Sequence, residues 1–284
     1  MKRISALLVL ALTLSVTMAQ EQPATLELPD DRITTDRPTF GRSGSTIGRG
    51  IQIEAGVAYN WLDDASPAAK TDRVDLANIL LRVGLSDDFE FRLGIRNEEY
   101  IVRSWTTDAV DKYNTWSPME IGIKARFIDK AKFDASLLFN LYVRNTVRDH
   151  RMDDGSMVPG ALARRPSFVS PEMAFLFAHD MGKFGLEYNV GLIWNGQRPY
   201  TTESGTENPD WYYTLTASYE LLDWLTVFVD HASYMRNFHF PDVLVQGGLL
   251  MPFGDHWQVD VHGGAGLNEF SQTALFGGGL SYRF

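Results

Sequence analysis

Reading back from Phe284, every second residue of the closing stretch LFGGGLSYRF is Tyr282, Leu280, Gly278 and Phe276. The residues between them are Arg283, Ser281, Gly279 and Gly277. Such period-two alternation marks a β-strand, whose successive side chains point to opposite faces. The pattern recurs along the chain. In DFEFRLGIRN (88–97), Phe89, Phe91, Leu93 and Ile95 share one face, with Glu90, Arg92, Gly94 and Arg96 on the other. MEIGIKARF (119–127) and KFGLEYNVGLIWN (183–195) behave alike. A helix through 88–97 would put Glu90, Arg92 and Arg96 among core positions, so a helical reading fails.

Twelve such segments lie near 49–61, 74–84, 88–98, 116–128, 131–145, 170–180, 183–195, 211–222, 224–235, 241–252, 256–266 and 274–284. The second and ninth alternate least cleanly. Several approach the roughly 9–11 residues of a tilted membrane strand. LSDD (85–88), IDKA (128–131), DMGK (180–183), LLDW (221–224) and PFGDH (252–256) read as tight turns. Longer polar links at 62–73, 99–115, 146–169, 196–210, 236–240 and 267–273 fall between them. Outer-membrane barrels sort connections this way, with short periplasmic turns and longer external loops. An even strand count places both ends of the barrel on the periplasmic side.

Export fits. Lys2 and Arg3 precede the apolar stretch ALLVLALTLSV (6–16), and Thr17-Met18-Ala19 offers small residues for cleavage. That is the layout of a secretory signal peptide over 1–19, too short for a bilayer span. There is no lipoprotein Cys and no twin-Arg signal. The chain has no cysteine at all, and its formal charge of −10 argues against nucleic acid as a partner. Beyond residue 19 no apolar run nears the roughly 18 residues of a membrane helix, so any membrane role falls to strands. Trp61, Trp116, Trp194 and Trp211 fall where strands meet long links, Trp224 and Trp257 beside tight turns, and Trp105 within a link. Two such bands match the aromatic girdles of a membrane barrel. The expected architecture is all-β: an up-and-down antiparallel transmembrane barrel over 49–284. The apolar face meets lipid, and Phe284 ends the strand that closes on the first. The segment 20–48, rich in Pro, Gly, Asp and Thr, is either a periplasmic lead-in or a plug in the lumen.

ITTDRPTFGRSGSTIGRGIQIEAGVAYNW (33–61) carries Thr35-Asp36-Arg37-Pro38, a Gly/Ser linker, Gly50, and then Gln52, Glu54 and Gly56 on one strand. It resembles the opening of the MetA-pathway of phenol degradation family of outer-membrane proteins, and alternating strands ending in Phe continue the resemblance. The resemblance implies a transporter or channel, with aromatic compounds among its solutes. A terminal Phe likewise resembles the signal read by the barrel assembly machinery. Expected partners are outer-membrane lipids, that machinery and small-molecule solutes; the expected location is the bacterial outer membrane.

Inward positions mix signs. The candidate pore-lining set is Glu90, Arg92, Arg96, Glu120, Lys124, Arg126, Arg144, Glu187 and Asp260. Buried charges persist when paired or hydrated, which leaves two readings. One is a salt-bridge network that rigidifies a closed barrel without transport. The other is a pore whose ladder of Arg92, Arg96, Lys124, Arg126 and Arg144 draws in small organic anions. The charged link 146–169 reads as a solvated external loop rather than a constriction. A third reading is a lipid hydrolase: His231 and Ser233 share a lipid-side strand face and resemble the His-x-Ser of outer-membrane phospholipases. Tyr234 stands where those enzymes usually carry Asn, and no orienting third residue is evident, so the expectation is a protein that is not an enzyme. The other histidines lack metal spacing, His262 pointing inward alone, and neither metal nor cofactor is expected.

Overall fold

The computed structural model describes residues 33–36, 38–62, 69–104, 110–144, 168–194, 209–236, 239–268 and 274–284. The expected signal peptide, Arg37, Trp105, the Arg144 side chain and nearly all of the 146–169 link lie outside the described residues. The strands are β1 (Gly50–Leu62), β2 (Ala69–Ser86), β3 (Phe89–Ser104), β4 (Val110–Lys130), β5 (Phe133–Arg144), β6 (Phe168–Asp180), β7 (Phe184–Ile193), β8 (Asp210–Leu222), β9 (Leu225–Arg236), β10 (His239–Phe253), β11 (Trp257–Gly266) and β12 (Ala274–Arg283). Each pairs antiparallel with its sequence neighbours. β12 closes on β1, from Gln52 opposite Arg283 to Trp61 opposite Ala274, which leaves no open edge around the barrel.

The two faces are inverted relative to a water-soluble protein. Val57 and Val229 are 56% and 61% exposed, whereas Glu54 and Asp230 are fully buried. Apolar side chains therefore face outward, where lipid replaces water, and polar ones face the lumen. Trp61, Trp116, Trp194, Trp224 and Trp257 are all exposed. The turn-side ends rely on tight connections; Gly182 and Gly254 adopt φ of 82° and 57°, a region that favours glycine.

Two expectations need correction. Within the links 62–73 and 99–115 the described residues are strand, since β1 runs to Leu62, β2 begins at Ala69, β3 runs to Ser104 and β4 begins at Val110. This three-stranded extension carries charge on both faces, as water on both sides permits, so no apolar alternation betrays it. Polar contacts hold it instead: Arg103 with Asp72 and Asn97 with Asn114 at 2.8 and 3.0 Å across strands, and Arg73 with Asp75 at 3.1 Å along β2. Trp116 accordingly lies inside β4 rather than at its start. The unclean alternation of β2 has its own cause: a bulge between Asp75 and Ala77 shifts the register and leaves Leu76 exposed while Asp75 is buried.

Candidate functional site

The inward face of β1 to β4 mixes signs, and register puts like beside like between β2 and β3 but unlike beside unlike between β3 and β4. Arg82 stands directly opposite Arg92 and Glu90 opposite Lys124. Facing arginines repel unless carboxylates interpose. Glu90 does so with both oxygens, accepting from Arg82 Nε and Nη2 at 2.7 and 2.8 Å and from Arg92 Nη1 at 2.9 Å. Glu54 accepts from Arg82 Nη1 at 3.0 Å, and Glu120 lies 3.4 Å from Arg92 Nε. Arg82, Arg92 and Lys124 are all buried, so their charge calls for a further anion.

That anion comes from the segment before β1. Asp36 lies 2.5 Å from Arg92 Nη1, 3.6 Å from Lys124 Nζ and 3.7 Å from Arg82 Nη1. Burial alone would raise its pKa; the charges of Arg82, Lys124 and Arg92, with Arg42 beyond, overturn that and hold it well below the usual carboxylate range. Lys124 also donates to the carbonyls of Ser43 and Ser45, both at 3.0 Å.

Residues 33–36 and 38–48 run as a re-entrant loop inside the barrel, with hydrogen bonds reaching β1 to β12. One end sits at the turn-side mouth: Ile47 donates its N–H to Glu90 and accepts from Arg283, and Thr46 bonds the Asp87 carbonyl. The other end returns to that mouth, where Gln52 donates to the Thr34 carbonyl and Gln258 to the Thr35 hydroxyl. Between them the Phe40 N–H bonds Asp230, midway up β9, and Gln246 donates to the Pro38 carbonyl at 2.9 Å.

The tip of the loop is Arg42, which reaches toward the long-loop ends of β5, β6 and β8. Its Nη1 donates to Glu172 Oε1 at 2.8 Å and its Nη2 to the Tyr142 hydroxyl at 2.6 Å. The wall orients that carboxylate independently of the loop. Tyr142, Tyr212 and Asn140 donate to Glu172 at 2.8, 2.5 and 2.7 Å. Two inward glycines make room for these donors. A Cβ on Gly191 would lie 2.4 Å from the Tyr212 ring, and one on Gly122 would lie 1.8 Å from the Asn140 amide oxygen. Burial would lower the Arg42 pKa, but Glu172 and the two phenols raise it well above its ordinary value. Beside this cradle Leu138, Ala174, Leu176 and Tyr212 form an apolar inward cluster, joined by Ile193 and by Tyr234, whose ring stacks on Tyr212 at 5.6 Å.

Of the sequence-expected residues, the structure unites Glu90, Arg92 and Lys124 and brings Glu120 to their edge. Arg126 stands apart at the turn-side rim with Asp88 at 3.0 Å, Asp129 at 3.1 Å and Asp134 at 3.8 Å. Arg96 pairs with Glu98 at 3.4 Å below the β2–β4 extension. Glu187, on β7, hydrogen-bonds Ser43 of the loop, and Asp260 lies on β11. The basic residues therefore form no continuous ladder, since each described one engages a carboxylate. His262 is not alone, as its Nδ1 lies 3.4 Å from Asp260. His231 Nε2 lies 3.1 Å from the Tyr213 hydroxyl, and Ser233 is buried. Among the described residues no cluster of His, Asp or Glu is arranged to hold a metal. Arg42, Asn140, Tyr142 and Tyr212 went unsuspected; the one available signal was tyrosine at inward parity on strands whose other inward residues are mostly polar.

Residues 35–284 match the family described as "Putative MetA-pathway of phenol degradation", the match beginning at the threonine just before Asp36. The chain belongs to that family. Among solved structures it is similar to an outer membrane channel from Pseudomonas putida F1, at 12% identity over 84% of this chain and 97% of that one, with a TM-score of 0.59. It is also similar to the translocator domain of the autotransporter NalP from Neisseria meningitidis, at 13% identity over 84% and 89% of the chains and a TM-score of 0.53. The transport unit of the autotransporter AIDA-I from Escherichia coli matches at 12% identity over 83% and 90%, with a TM-score of 0.52. Likeness spread over a channel and two autotransporters speaks for a shared outer-membrane barrel architecture and not for a shared cargo. No curated protein sequence matches significantly.

Proposed function

We propose that this family member is an outer-membrane channel for small organic solutes, aromatic ones included, with residues 33–48 as the element that narrows the passage. The observation that carries the reading is the inward apolar strip of Leu138, Leu176, Tyr212 and Tyr234, set in a lumen otherwise lined by polar groups. A strip of this kind gains from contact with an apolar body, while Glu172, Tyr142 and Arg42 alongside it are already paired with one another. Polar groups elsewhere around the lumen supply a wettable side: Asn189 Oδ1, Gln246 Oε1 and Ser281 Oγ are buried without a protein hydrogen bond among the described residues, so water can serve them. The channel architecture seen in Pseudomonas putida agrees with this reading.

Anions are disfavoured, since Arg92, Lys124 and Arg126 already face carboxylates. A hydrolase is disfavoured too, since the His231 nitrogen that could take a proton from Ser233 lies against Tyr213 instead. The chain reaches its membrane by a cleaved leader over 1–19 and is inserted by the barrel assembly machinery, which reads Phe284.

Reconstitution in planar bilayers tests the reading. Small discrete current steps are expected, interrupted by 4-hydroxybenzyl alcohol and indifferent to glucose. Silence from both the intact protein and a variant lacking 33–48 would sink it and leave a closed structural barrel.

A further inference from the structure

The pairing of Arg42 with Glu172 has an asymmetry that a structural ion pair does not need. Glu172 is 1% exposed in its side chain, and the wall alone supplies it with three neutral donors. Arg42 is 20% exposed and belongs to the loop, not to the wall. The carboxylate is thus fixed in place, polarised and missing only a cation, while the cation that completes it hangs on a tether. Next to the vacancy that Arg42 would leave stand Leu138, Leu176 and the stacked Tyr212 and Tyr234. A carboxylate held by neutral donors, with an apolar floor and two phenols alongside, is what a guanidinium- or amidinium-bearing aromatic would bind.

We propose that the Glu172 cradle is a solute site for small planar organic cations carrying an aromatic or aliphatic body, and that Arg42 is its built-in occupant. The proposal rests on the channel reading and names one class of solute for it. An arriving cation replaces Arg42 on Glu172, so the tip of the loop is released by the solute itself rather than by a separate signal. Gly191 and Gly122 shape the site by letting Tyr212 and Asn140 lie close to the wall.

Benzamidinium is the probe, with benzoate and benzyl alcohol as controls, read by the midpoint of heat-modifiable gel mobility of the full chain in detergent. In Arg42→Ala the empty cradle is expected to give a saturable rise in midpoint with benzamidinium alone. The wild type should need at least tenfold more probe because the tethered guanidinium competes. Adding Glu172→Gln to Arg42→Ala should abolish the response. Equal responses to benzoate, indifference to Glu172→Gln, or no response in a folded Arg42→Ala would overturn the site. Should Arg42→Ala fail to fold, Arg42→Lys keeps the charge but loses the fork; its affinity for benzamidinium should exceed that of the wild type, and an unchanged value would overturn the proposal. The mobility readout needs no pore. Silent bilayers with an intact benzamidinium response would reject the channel and keep the site, whereas conductance without that response would do the reverse.

Discussion

The loop is fastened at its base and at its tip by opposite chemistry. At the base it contributes an anion, Asp36, to a wall rich in buried cations. At the tip it contributes a cation, Arg42, to a wall carboxylate already hydrogen-bonded by Tyr142, Tyr212 and Asn140. Removing the base anion takes from buried Lys124 its one ion-pair partner among the described residues, and from Arg82 and Arg92 a shared one. Removing the tip cation leaves Glu172 with three donors and water at hand. The base is therefore the anchor and the tip the movable end.

The largest break in that contrast is Asp36→Ala, which should cost about 3–5 kcal/mol, the range for breaking a buried ion pair. Urea unfolding in detergent reads the loss, and limited proteolysis should find the loop expelled. Acid probes the same carboxyl. A group held low in the folded state lends stability that is complete above its unfolded value of 3.8 and is lost as pH falls toward its folded value. Loop retention should thus stay level from about pH 7 to about pH 4 and decline only below; a decline already complete by about pH 5 would show that Asp36 is not the anchor. Gly191→Ala should cost about 1–3 kcal/mol by driving a methyl into the Tyr212 ring, and should weaken the tip without exposing the base to protease. Arg42→Ala should cost about 1–2 kcal/mol, because the remaining donors and water still serve Glu172. A loss equal to that of Asp36→Ala would erase the contrast between base and tip. Arg126→Gln, out at the rim beside half-exposed carboxylates, should stay within about 1 kcal/mol in the same unfolding series.

The barrel was legible because lipid on one side and water on the other imprint a period of two directly on the sequence. Where both sides are wet, as along 69–73, 99–104 and 110–115, that imprint vanishes and strands read as loops. Parity alone also put Glu90, Arg92 and Lys124 in the lumen. It could not find their shared partner: Asp36 is 56 residues from Arg92 in sequence and lies in a segment with no periodicity. Arg42 and Glu172 are 130 residues apart, and nothing local in either stretch announces the other. Sequence could not choose between a salt-bridge network and a ladder of cations for the same reason, since a list of inward charges shows sign but not which of them touch.

Thr34 and Ile47 both lie near the turn-side mouth, with Arg42 at the far reach between them. Tension applied to the chain ahead of Thr34 from that side would open the loop's bonds in succession, like a zipper, instead of shearing all of them together. Each bond would meet the load alone. A weak pull would then clear a lumen that the same bonds, acting together, keep filled.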